Sequence, residues 1–472
     1  MRAHPLAFVV ALAACGASGF SVRAPARAPS NPGWTYDVVA SPGGDEIAVE
    51  AAFAPGTLDE LTVEEGGEPF LLAVELADGD SWKPVARQGL SWFAPSCARG
   101  CRLRYRVALR EAGRASGRVA VARAHAGAVE SPPSTWLLRP VRAPLGTPFR
   151  FHVTSAPGEA FASGVFPSHE AKDTYEGTNG DIFQLPYAAF GRVRVRDLYD
   201  GKVQVAILPG RLDHEDDLLA WVTTSARAVE KFYARFPVPR LLVIVRPVDK
   251  SGVGFGTAIG NAGAAIAVDV GSECGSESFR DDWVLVHEMV HTALPDVRGP
   301  HRWLEEGLST YVEPLARARA GLAAPEDVWR DWVRGMPNGL PEEGDRGLDR
   351  TPTWGRTYWG GALFCFLADL EIRTRTFGKK SLDDALRAIV ASGGNISVAW
   401  PIEKILEIGD RAVGAPVLRE LYGRMSHDPA PVDLTAIWKR LGVVVRGTKV
   451  AFDDTAPLTR VRRRMTEAAP SP

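Results

Sequence analysis

The stretch WVLVHEMVHTAL, Trp283 to Leu294, constrains the fold more than any other part of the chain. It is almost wholly apolar, yet it holds two histidines and a glutamate. Its spacing predicts a helix over 281–294. Ser278 is placed to cap that helix, Asp281 and Asp282 suit the positive end of its dipole, and Pro295 ends it. Val284, Leu285, Val286, Met289 and Val290 leave no wide polar face, so the helix is expected to lie buried. An unpaired buried polar group costs about 1–3 kcal/mol, and a bare charge costs more. His287, Glu288 and His291 therefore need a shared partner.

His287 and His291 are four residues apart and project from one helix face. Two imidazoles one turn apart suit a single Zn²⁺. Glu288 lies about 100° round the helix, beside such a metal and not necessarily on it. From there it is positioned to take a proton from an attacking water. This is the H-E-x-x-H arrangement of zinc peptidases. A hydrolytic zinc site has three protein ligands and one open position. The next predicted helix, 302–320, contains RWLEEGLSTYVEP. Glu305 and Glu306 are both candidates for the third ligand. The inward side defined by Trp303, Leu304, Gly307, Leu308 and Tyr311 lies about equally far from each.

The rest of the chain sets the frame. It has 472 residues, 45% of them hydrophobic and 24% charged, an ordinary globular composition. The formal net charge of −2 leaves no basic excess for binding nucleic acid. Residues 1–14, MRAHPLAFVVALAA, read as a secretory signal peptide: a positive Arg2, then a short apolar run. Leu12-Ala13-Ala14-Cys15 resembles the lipobox of bacterial lipoproteins, which implies cleavage before Cys15 and lipid on that residue. The protein is then expected outside the cytoplasm, anchored to a membrane of the periplasm or cell surface. Residues 15–33 read as the lipidated cysteine and a Pro-rich flexible linker. In an oxidising compartment a disulfide between Cys97 and Cys101 is expected, with Cys274 and Cys365 as small buried hydrophobes.

Residues 34–209 carry strand-like segments between turn residues, among them DEIAVEAAF, CRLRYRVAL, GRVRVRDL and KVQVAIL. They predict an antiparallel, sandwich-like β domain. Beyond Pro209 helical spacing takes over, and residues 210–465 read as a second domain, with 466–472 as a disordered tail. Helices are expected at 302–320, 358–376 and 381–392. The stretch SGVGFGTAIGNAGAAIAVDVG reads as a Gly-rich strand edge where another backbone comes close.

Trp303-Leu304-x-Glu306-Gly307 resembles the segment that supplies the third zinc ligand in gluzincins. The likeness is to the glycyl aminopeptidase-like family and its relatives around aminopeptidase N. Downstream, TYWGGALFCFLADLEIRTRTFGKKSLDDALRAI, Thr357 to Ile389, is similar to the tyrosine helix of these families. The resemblance implies one Zn²⁺ on His287, His291 and Glu306. It implies Glu288 as general base and Tyr358 as donor to the developing oxyanion. The implied architecture is α+β, an N-terminal antiparallel β domain followed by a thermolysin-like, mostly helical catalytic domain. The implied activity is peptide hydrolysis on a peptide or protein substrate. Relatives carry an acidic or histidine-bearing motif for the substrate N-terminus where this chain has its Gly-rich stretch. The alternative is an inactive surface lipoprotein whose zinc site only holds a binding module together.

Overall fold

The computed structural model describes residues 33–467, apart from 58, 116–120, 145, 179 and 181–183. The expected signal peptide, Cys15 and the linker up to residue 32 lie outside the described residues. So do residues 468–472 of the expected tail. Thr466 closes a helix, Thr459–Thr466, so the tail expectation began too early. No helix among the described residues is long and apolar enough to cross a membrane.

Strand Ile47–Phe53, IAVEAAF, alternates buried and exposed residues without a break, the period-2 signature of a sheet with one face in a core. It sits inside a seven-stranded sheet. The order across that sheet is Thr174–Thr178, Pro148–Thr154, Trp34–Ala40, Ile47–Phe53, Cys101–Val107, Leu71–Asp78 and Ser81–Pro84. The pairs are antiparallel except one: Trp34–Ala40 runs parallel to Pro148–Thr154. An all-antiparallel domain was expected. The chain instead makes a long excursion between these strands, and a long crossover returns it in the same direction, as no hairpin would. Two four-stranded sheets complete this half. Its core centres on Trp136, whose ring meets Phe151 at 5.5 Å and Phe190 at 5.6 Å. Cys97 and Cys101 form a disulfide across the turn into strand Cys101–Val107. Cys274 and Cys365 are buried free thiols.

A five-stranded sheet organises the second half, in the order Arg194–Leu198, Val203–Ile207, Leu241–Val248, Ala265–Gly271, Val253–Ile259. The three central strands are parallel and both edge strands antiparallel. GRVRVRDL and KVQVAIL belong here, although they were expected in the β domain. Both sheets share the same period of two, and only the pairing partner, a non-local fact, tells them apart.

The sheet is buried on both faces. Val203, Val205, Ile207, Leu241, Val243 and Val245 join the core beneath the helices. Ala206, Leu208, Leu242 and Ile244 pack on Ala128, Ala162 and Ala189 of the β half. An ion cluster crosses that second contact. Arg246 donates through Nε and Nη2 to the two oxygens of Glu130, at 2.7 and 2.5 Å, and lies 3.5 Å from Asp269. Burial alone would raise the Glu130 carboxyl, but the Arg246 guanidinium holds it below its ordinary value.

Candidate metal centre

The predicted helix over 281–294 is two elements. A short helix, Ser276–Asp281, stops before Trp283, and the helix carrying the motif is Val284–His291. Ser278 lies inside the first helix and does not cap the second. Asp282 takes that role: Oδ1 accepts from the Val284 amide at 3.1 Å and Oδ2 from the Leu285 amide at 3.2 Å. Oδ2 also accepts from the Trp221 indole, which ties the helix start to helix Glu215–Tyr233. At the other end the Thr292 hydroxyl donates to the Met289 carbonyl, three residues before Pro295. Leu285 through Val290 are buried, His287 and Glu288 among them.

Helix Arg302–Ala320 packs against this one and brings a carboxylate to the two imidazoles. Glu306 Oε2 lies 3.6 Å from His287 Nε2 and 3.5 Å from His291 Nε2. One ligand atom from each of the three residues lies within 4.8 Å of the others. These separations exceed an ordinary hydrogen bond. They approximate the edges of a tetrahedron whose bonds from metal to ligand are ~2.0–2.1 Å. Two imidazole nitrogens and a carboxylate oxygen are also a donor set that suits zinc. The residues present therefore fit Zn²⁺. Burial would raise the Glu306 carboxyl, but contact with both imidazoles outweighs it and holds the group far below its ordinary value. Glu305 is turned away: its Oε1 accepts from the Val297 amide at 2.8 Å. His301 sits apart from the centre, with Nδ1 2.9 Å from Asp349.

Glu288 faces the edge strand Val253–Ile259. The Ala258 amide hydrogen-bonds to its carboxylate, and burial raises its pKa above the ordinary value. Gly256 makes this approach possible. A Cβ there would lie 2.5 Å from Glu288 Cγ and 3.0 Å from Cδ. At Gly256 the neighbour is thus a side chain; the close backbone approach expected of the Gly-rich stretch comes further along, where a Cβ on Gly260 would lie 1.8 Å from the Ile396 carbonyl oxygen.

Tyr358 comes from a π-helical turn, Gly355–Gly360, that runs into helix Gly361–Arg375. A continuous α-helix was expected over 358–376. The wider turn is a device often found at functional sites. The tyrosine helix and the glutamate helix cross where Gly307 meets Gly361: a Cβ on Gly307 would lie 2.3 Å from Gly361 Cα. That close crossing brings Tyr358 into the same cleft as Glu306. Burial, then the Glu306 charge, raises the phenol above its ordinary pKa. Arg302 bridges the two. Its guanidinium lies 3.3 Å from Glu306 Oε1 and also hydrogen-bonds the Tyr358 side chain. Sequence reasoning missed Arg302, although its spacing four residues before Glu306 on one helix was available as a signal.

His287, Glu288, His291, Glu306 and Tyr358 all line one cleft of about 1510 Å³. Two imidazoles, one low-pKa carboxylate, one high-pKa carboxylate and a phenol are thereby gathered round a single space. Carboxylates pushed to opposite sides of their ordinary value are suited to different tasks, one as ligand and one as base.

No protein-family model matches the sequence, and no curated protein matches it. Similarity to solved structures is extensive in shape and low in sequence. An aminopeptidase N family protein from Idiomarina loihiensis superposes with a TM-score of 0.68 at 12% identity, over 88% of this chain and 79% of that one. A mutant M1 zinc metallopeptidase from Deinococcus radiodurans gives 0.51 at 16% identity, over 84% and 94%. Legionella pneumophila aminopeptidase A gives 0.52 at 12% identity, over 84% of this chain but 49% of that one. The chain therefore shares its mixed α/β fold with the M1 zinc aminopeptidases.

Proposed function

We propose that this protein is a zinc metallopeptidase of the gluzincin type, with a thermolysin-like catalytic half, that hydrolyses peptide bonds. The observation that carries the proposal is the convergence of the His287–His291–Glu306 donor set with Glu288 and Tyr358 in one cleft. His287, His291 and Glu306 would hold the metal. When bound, Zn²⁺ polarises a scissile carbonyl and makes water a better nucleophile. Glu288 takes the proton as the water oxygen attacks the carbonyl carbon, then delivers it to the departing amine nitrogen. Its raised pKa suits both halves of that exchange. Tyr358, kept protonated by its raised pKa, donates a hydrogen bond to the oxygen that becomes negative. Strand Val253–Ile259 is the sheet edge, so its outer side, apart from the Ala258 amide held by Glu288, is placed to pair with an extended peptide.

The test is zinc stoichiometry and peptide hydrolysis on the same preparations. About one zinc per chain is expected for the wild type. Glu306→Ala should lose it and Glu305→Ala should keep it. Glu288→Gln should keep the metal and lose hydrolysis by ~10²–10⁴-fold. Hydrolysis that survives in Glu288→Gln removes Glu288 as the base.

The lipobox resemblance supports a second part of the proposal, that Cys15 is lipidated and the enzyme works outside the cytoplasm at a membrane. The disulfide between Cys97 and Cys101 is compatible with export to an oxidising place. A mature N-terminus found beyond Cys15 by mass spectrometry would refute the anchor.

A further inference from the structure

Peptide hydrolysis leaves the rim of the cleft unexplained. The exposed large aromatic side chains among the described residues are Phe93, Phe255, Trp283, Trp354 and Phe377. Three of these, Phe255, Trp283 and Trp354, line the metal-centre cleft. They are 86%, 51% and 64% exposed. Each adjoins a different residue of the candidate site. The Trp283 ring meets His287 edge-on at 5.5 Å. The Trp354 ring lies 6.1 Å from that of Tyr358. Phe255 precedes Gly256, which lies against Glu288.

The exposure of Phe255 is built into the strand. The pairing register shifts between Val253 and Gly256, an irregularity of the kind that re-aims a side chain. The glycines on either side are packed: a Cβ on Gly254 would lie 3.1 Å from Asp269 Cβ, and one on Gly256 would meet Glu288. The backbone is thus held on both sides of a phenylalanine that contributes almost nothing to the core. Exposed aromatic surface gathered at one opening marks recognition more than folding.

We propose that Phe255, Trp283 and Trp354 form the side-chain subsites of the cleft. Its substrates are then oligopeptides with a bulky aromatic or branched aliphatic residue beside the cleaved bond. This rests on the peptidase reading and adds the substrate class to it. Successive side chains of an extended peptide point to opposite faces. Rings mounted on three different walls, the edge strand, the start of the metal helix and the π-helical turn, are placed to read neighbouring residues.

The experiment measures kcat/KM for the wild type, Phe255→Ala, Phe255→Leu and Trp354→Ala. The peptides share one frame and carry Phe, Leu, Ala, Glu or Lys on either side of the cleaved bond. The same peptides are titrated into Glu288→Gln and into Glu288→Gln with Phe255→Ala, following tryptophan emission. Wild type should favour Phe or Leu over Ala, Glu and Lys by about tenfold or more. Each alanine variant should shrink that ratio by about tenfold, with zinc content and melting temperature held, and Phe255→Leu should restore part of it. A flat wild-type profile overturns the proposal while leaving the peptidase reading intact, and so does a preference untouched by both alanine variants. If the wild type cleaves nothing but Glu288→Gln binds Phe peptides through Phe255, the peptidase reading falls and the aromatic subsites stand. Neither cleavage nor Phe255-dependent binding overturns both.

Discussion

Glu313 lies on the same helix as Glu306, about two turns further on, and lines the same cleft. Burial pushes its carboxyl up from 4.5 to about 8, and Arg317, 3.3 Å away, offsets only part of that. The folded protein therefore keeps a proton that the unfolded chain gives up between about pH 4.5 and 8. This group's contribution to stability is fully present below that window. It declines by about 1.4 kcal/mol per pH unit as the pH rises through it. Glu313→Gln removes the titration. Thermal melts should show the variant gaining on the wild type steadily from pH 5 to pH 8. A gap that stays constant over that range would assign the proton elsewhere.

The edge strand Val253–Ile259 carries a constraint at Gly256 that no side chain other than hydrogen satisfies. In Gly256→Ala the new Cβ would stand 2.5 Å from Glu288 Cγ, so the strand or the carboxylate has to shift. A misplacement of about 1 Å at a reacting group costs ~10²-fold in rate. Hydrolysis by Gly256→Ala should fall on that order, while zinc content, set by the other face of the helix, stays near wild type. Zinc analysis and kcat on one preparation check both. Elements of this kind were partly legible in the sequence. The i, i+4 histidines located the metal helix, and the glutamate helix appears over the residues expected for it. Glu305 and Glu306 remained equivalent because neighbours about 100° apart straddle one buried face. Only the approach of a second helix separates them. Ser278 and Asp282 are both capping types, and the helical spacing runs through the break before Trp283, where the Asp282 carboxylate is held by Trp221, far away in sequence. The π-helical turn of Tyr358 has no period of its own to read, since it adds one residue to an otherwise α-helical pattern.

At the scale of the molecule, the contact between the β half and the five-stranded sheet combines small apolar side chains with one buried charge cluster. Glu130 is 0% exposed, so removing Arg246 leaves a buried carboxylate with only the His125 imidazole, 3.7 Å away, beside it. Arg246→Ala is expected to destabilise the protein by about 3–5 kcal/mol, read as a drop in denaturation midpoint. Arg246→Ala combined with Glu130→Ala should recover much of that loss, because the stranded charge is gone. The cluster also bears on how such a protein can be inherited. Residues 193–467 contain every group proposed here for chemistry. As a separate gene product, however, they would present Ala206, Leu208, Leu242 and Ile244 as a bare greasy plate, with Arg246 left only its longer 3.5 Å contact to Asp269. The half that carries the candidate metal centre is therefore not a portable cassette. Recombination that transplants it into a new host chain has to bring the β half along, or supply another surface that ends in a carboxylate at the same spot.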